Sequence, residues 1–161
     1  MNKIIHAKMP TQENFKKYGK IIDLDQPSGT ITAGLLDYWP LYSISCKLPN
    51  AGILEIRRQE NTEITVLERH LLYEELFIPV SGIGIMPFAP ASDLDDMDAE
   101  PDVAKMEAFV VDGTKAFVVK KGVWHYPARP IGNVIRFLMV VSEECGLDLY
   151  NKDITPVSVI L

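Results

Sequence analysis

The sequence predicts an all-β protein, an antiparallel barrel or sandwich behind one short opening helix. Three observations predict it. Short runs rich in Val, Ile and Phe recur about every ten residues from Leu41 onward, punctuated by Gly, Pro or Asn. No helical pattern intervenes between them, which disfavours parallel βαβ architecture. Asp112-Gly113 lies between two runs reading Ala-Phe-Val-Val, and Gly accepts the positive φ of a tight turn.

The elements follow in chain order. Thr11 suits the cap of a helix over Gln12 to Tyr18, with Phe15 and Tyr18 on one face and Gly19 in the position after its end. Strands are then predicted over Leu41 to Leu48, Gly52 to Arg58, Glu63 to His70, Glu75 to Val80 and Ile83 to Phe88. Beyond an acidic stretch come Met106 to Val111, Lys115 to Lys120 and Val134 to Val141. The 161 residues suit one domain spanning 1–161, and Leu, Ile, Val and Phe supply 50 of them, enough to build a core.

Charge and composition exclude several classes. Of the 22 acids, six fall in Ser92 to Asp102, which has no Lys or Arg; the rest of the chain balances 16 acids against 16 bases, so the net charge of -6 belongs to one loop. A neutral body gives no electrostatic drive toward phosphate backbones or anionic lipid, so neither nucleic acid nor a membrane is an expected partner. The loop lacks the Gly and distant Glu of an EF-hand and reads as a solvated segment. Without the apolar run of a signal peptide or a span of about 20 apolar residues, the expected compartment is the cytoplasm. Cys46 and Cys145 form no CxxC pair and read as small apolar residues. Gly82-Ile-Gly84 precedes no helix, so it is no dinucleotide signature, and neither Ser81 nor the cysteines show a triad pattern.

The chemistry gathers around two of the three histidines. Glu68 and His70 are two apart, so on a strand both side chains take one face while Arg69 takes the other. Glu75 follows five residues on, and His125 sits within Lys121-Gly-Val-Trp-His-Tyr-Pro. Imidazole and carboxylate together suit one divalent metal ion, and spacing leaves its identity open. His70, Glu75, His125 and Glu68 are the candidate ligands. Arg57, Arg58, Arg69 and Arg129 are candidates for a substrate carboxylate, with Tyr126 beside His125, although alternation turns Arg69 away from His70.

Glu68-x-His70-x4-Glu75-x6-Gly82 resembles the first motif of the cupin superfamily, with Glu in place of its first His. Gly122-x2-His125 resembles the centre of the second, with Lys120 and Arg129 at the flanking Pro and Asn positions. A narrower resemblance covers most of the chain: Phe15-Lys-Lys-Tyr18-Gly19, Glu68-Arg69-His70, Phe77-Ile78-Pro79, Ala108-Phe109 and Val123-Trp124-His125-x-Pro127 look, in that order, like ureidoglycolate lyase. The resemblance implies a cupin-type barrel (an antiparallel double-stranded β-helix), a homodimer, and cleavage of the small molecule ureidoglycolate to glyoxylate and urea, late in purine breakdown through allantoin. It implies catalytic roles for His70, His125 and Glu75. Glu75 and Tyr126 depart from the family's usual Gln and frequent His. The alternatives are another metal-dependent cupin enzyme, an isomerase or dioxygenase on a small hydroxy acid or sugar derivative, and a non-enzymatic small-ligand-binding cupin.

Overall fold

In the computed structural model, which describes residues 3–25, 31–61 and 63–161, the chain runs β1 (Lys3–His6), α1 (Gln12–Phe15), β2 (Gly19–Asp23), β3 (Ile31–Ala33), β4 (Leu36–Tyr38) and β5 (Pro49–Arg57). It continues through β6 (Glu63–Arg69), β7 (Glu75–Ser81), β8 (Gly84–Ala89), β9 (Glu107–Val111), β10 (Lys115–Val119), β11 (Trp124–His125), β12 (Arg129–Pro130), β13 (Val134–Ser142) and β14 (Tyr150–Ile160). One sheet has the order β1-β14-β6-β11-β8-β12, with β9 also on β8; the other is β2-β10-β7-β13-β5; β3 and β4 form a separate hairpin. All strand pairs are antiparallel except β1 with β14. From β6 onward the chain winds back and forth between the two large sheets, as in a double-stranded β-helix.

The aromatic residues of both sheets meet in the middle: Phe77, Phe117 and Phe137 from one, Phe88 and Phe109 from the other. Phe15 plugs this core from α1, its ring 5.0 Å from Phe88, 5.3 Å from Phe109 and 5.4 Å from Phe117. Edge-on contacts of this kind place ring edges against ring faces and add to the burial of large apolar area. The helix is capped as its sequence requires, for the Thr11 side chain accepts from the Asn14 N–H and the Asn14 side chain accepts in turn from the Thr11 N–H.

Several local expectations are corrected. The helix stops at Phe15, with residues 16–18 in a turn that carries Tyr18 into the core. Gly19 opens β2 and is needed for close approach: a Cβ there would lie 1.7 Å from the Val118 carbonyl oxygen. Leu41 to Leu48 forms no strand; Leu41, Tyr42 and Ile44 instead pack on Ile22, Leu76 and Val118, so their apolar pattern is satisfied by side-chain burial without backbone pairing. Gly113 has the positive φ expected, 93°, and Asp112 accepts from the Thr114 N–H and hydroxyl. That turn closes no hairpin, however, because β9 pairs with β8 while β10 pairs with β2 and β7. No helix among the described residues is long and apolar enough to cross a membrane.

Candidate active site

The two motifs are joined by backbone before any side chain is considered. Glu68 on β6 is directly across from His125 on β11, and the Gly122 N–H donates to the His70 carbonyl. Gly122 has φ 78°, a conformation that an L side chain rarely adopts, so the turn presenting His125 depends on glycine. Glu75 begins β7 opposite Val119. These placements bring His70 and His125 to a ring separation of 5.9 Å, with the Glu75 carboxylate between them.

Each imidazole is oriented by a carbonyl. His70 Nδ1 donates to the Asp148 carbonyl oxygen at 2.9 Å, and His125 Nδ1 donates to that of Val123 at 3.0 Å. Both rings therefore turn Nε2 toward Glu75: Oε1 is 3.6 Å from His70 Nε2, and Oε2 is 2.9 Å from His125 Nε2. The Asp148 carboxylate is itself buried and accepts from the Leu71 and Leu72 N–H groups at 3.2 and 2.7 Å, which fixes the turn after His70. Glu68 Oε1 stands 3.7 Å from His125 Nε2, on the side where the cluster meets solvent.

The electrostatics follow from this packing. Burial opposes a charge on His125, but the carboxylates of Glu75 and Glu68 outweigh it and raise its pKa to about 9. Burial likewise works against ionised Glu75, and the neighbouring His125 and His70 overcome it and hold its pKa below the usual range. Glu75 Oε2 and His125 Nε2 are close but poorly aligned, so neither buried atom has a hydrogen bond of good geometry.

Cys145, read from the sequence as a small apolar residue, lies at the same place. Its Sγ is 3.4 Å from His70 Nδ1 and 3.9 Å from Glu75 Oε1. Burial, then the charges of Glu75 and Asp148, push its thiol pKa up to about 12. No spacing signal announces it, since 70 residues separate it from Glu75. A carboxylate, two imidazoles and a thiol, with Glu75 Oε2 and His125 Nε2 left misaligned among them, form a donor set that fits a divalent cation, and His70, Glu75 and Cys145 group closely enough to hold one.

The arginines go elsewhere. Arg69 is fully buried on the opposite face of β6, its guanidinium 4.6 Å above the Trp124 ring and donating to the carbonyls of Asp93 and Asp96. Arg57 is paired with Glu55, which also binds Arg136. Arg129 donates to the Asn61 and Glu63 carbonyls and stacks on Tyr126. Arg57, Arg58, Arg129 and Tyr126 line an open pocket of about 560 Å³ whose wall includes neither histidine. Among the described residues, no hydrogen bond or ion pair joins any of these arginines to the His70–Glu75–His125 cluster. His6 ends β1, outside the site.

Comparison with known proteins agrees with the motif order. The family model described as ureidoglycolate lyase matches residues 2–159. A ureidoglycolate lyase of Burkholderia mallei is 39% identical over 93 residues, 57% of this chain and 51% of that protein, so the match spans about half the length of that relative. One from Escherichia coli K12 is 28% identical over 148 residues, covering 86% of this chain and 89% of that one. Among solved structures, RmlC from Streptococcus suis in complex with dTDP-D-xylose is 12% identical, with a TM-score of 0.42 over 60% of this chain and 44% of that chain. With a family match running almost end to end, the chain belongs to the ureidoglycolate lyase family.

Proposed function

We propose that this protein cleaves ureidoglycolate to glyoxylate and urea, with His70, Glu75 and His125 as its working groups. The observation that carries the reading is a buried carboxylate set between two imidazoles whose Nε2 atoms face it, in a chain of this family. Ureidoglycolate is a hemiaminal. Its carbon–nitrogen bond breaks when the hydroxyl proton is removed, the C–O bond becomes a carbonyl, and the urea nitrogen leaves with a proton. No water is consumed and no oxidation state changes, so one base and one acid complete the balance.

The residues divide these tasks by position. His125, anchored through Nδ1 and touching Glu75 through Nε2, is placed to give a proton to the departing nitrogen and recover one through the carboxylate. His70, anchored on Asp148, is placed to receive the hydroxyl proton. A divalent cation held by His70 and Glu75 would take over the task of the base, supplying Lewis acidity that lowers the pKa of a bound hydroxyl, with His70 Nε2 then its ligand and not a proton acceptor.

Purified protein incubated with racemic ureidoglycolate is expected to release glyoxylate and urea in equal amounts. His125→Ala should lower turnover at least about 100-fold while folding normally. Glyoxylate at the background rate in the parent protein, or full turnover in the variant, would remove this reading.

A further inference from the structure

We infer that the acidic loop 92–102 positions His125 from the opposite face of its strand, with Ser92 and Leu94 as the positioning residues. The inference rests on the reading above only for what His125 does once it is in place. Strand β11 is two residues long, Trp124 and His125, so few backbone hydrogen bonds set its place. Side chains alternate along it and along the turn before it. Val123 and His125 point into the barrel, Val123 within the aromatic core and His125 beside Phe77 and Phe88. Gly122 and Trp124 present the other face, and the loop bears on both.

At Trp124 the contact is a hydrogen bond. The indole is fully buried, and its Nε1 donates to Ser92 Oγ at 2.8 Å. The Ser92 hydroxyl donates in turn to the Glu100 carbonyl at 2.7 Å, so one side chain both closes the loop and receives the indole. At Gly122 the contact is packing. A Cβ there would overlap Leu94 Cδ2, so Leu94 rests on the glycine itself. The same glycine donates its N–H to the His70 carbonyl and so joins the two motifs. Arg69 completes the seat, stacked 4.6 Å over the Trp124 ring and donating to the carbonyls of Asp93 and Asp96, on either side of Leu94.

Between the two held residues lies Val123, whose carbonyl accepts from His125 Nδ1 at 3.0 Å and aims the ring. Ser92 and Leu94 therefore act through residues 122–124 and not on the imidazole itself. The other ring nitrogen, Nε2, is 2.9 Å from Glu75 Oε2. A reacting group misplaced by about 1 Å can lose about 100-fold in rate, so a loop that fixes this distance contributes to turnover without touching substrate.

The full-length protein labelled with ¹⁵N-histidine tests this by NMR. It has three histidines, and the ring signals of His125 are those missing from His125→Ala. At one pH, Ser92→Ala and Leu94→Ala are expected to shift the His125 ring signals and leave those of His6 in place. Ser92→Thr, which keeps the hydroxyl, should keep the parent spectrum. Turnover of ureidoglycolate should fall at least about tenfold in Ser92→Ala, with KM changed less than about twofold, and Ser92→Thr should restore it. A loop that only supports the fold would lower the urea midpoint of both alanine variants without moving His125 or turnover. That result, or a Ser92→Thr protein as impaired as Ser92→Ala, would overturn the inference. Leu94→Ala decides the matter if Ser92→Ala fails to fold. The two readings fail separately: shifted His125 signals with no glyoxylate from the parent keep the positioning and retire the lyase, and undiminished release with unmoved signals does the reverse.

Discussion

Glu75 is where one side chain does most for the site. Its two oxygens face different partners, Oε1 toward His70 and Cys145 and Oε2 toward His125. Glu75→Gln nearly preserves the shape and removes the charge. The variant should bind divalent metal at least about tenfold more weakly, since an amide oxygen is a poorer donor to a cation than a carboxylate, and its turnover should fall with the metal and recover when metal is raised. Isothermal titration beside a glyoxylate assay checks both. Full activity and unchanged metal affinity in Glu75→Gln would mean that hydrogen bonding alone explains the residue, because an amide still accepts such a bond.

At the scale of elements, β6 and β11 carry chemistry on one face and a clamp on the other. His70 and His125 face the site, while the adjacent Arg69 and Trp124 stack, fully buried, on the opposite face and hold the acidic loop. Trp124 Nε1 donates to Ser92 Oγ, and Ser92 donates to the Glu100 carbonyl. Alternation along β6 made this reversal of Arg69 legible; its partners, 24 and 27 residues away, were not. Arg69→Met keeps the apolar stem and leaves the Asp93 and Asp96 carbonyls without their donor. A loss of about 2 kcal/mol of stability is expected from charged hydrogen bonds and cation–π contact together. Limited proteolysis should then cut within residues 92–102, and a variant as resistant and as stable as the parent would refute the clamp.

At the scale of the whole molecule, Glu107 on β9 ties the first residues to the barrel. Its carboxylate pairs with Lys8 at 2.7 Å and Lys17 at 2.5 Å and accepts from the Tyr18 hydroxyl at 2.9 Å. Burial alone would raise its pKa, but these three partners hold it near 2, against an ordinary value of 4.5. A depressed folded-state pKa contributes stability that is complete above about 4.5 and is lost as pH falls toward about 2. Urea unfolding across that range should show the advantage of the parent over Glu107→Gln shrinking as acid is added. A constant difference would show that the ion pairs do not stabilise the fold.

The sequence by itself determined the all-β class, the positions of β6 to β10 and β13 within about two residues, and the turning of Arg69 away from His70. These are local properties: β-branched and aromatic runs, glycines at turns, and side-chain alternation on a strand. Tertiary structure alone decided which strands pair, so that Asp112-Gly113 became a passage between sheets and β1 joined β14 in parallel. It also decided that Cys145 meets His70 and Glu75, and that Arg69 belongs to a loop clamp. Such contacts join residues distant along the chain, and they depend on how the sheets wind around a shared aromatic core, which no short spacing in the sequence encodes.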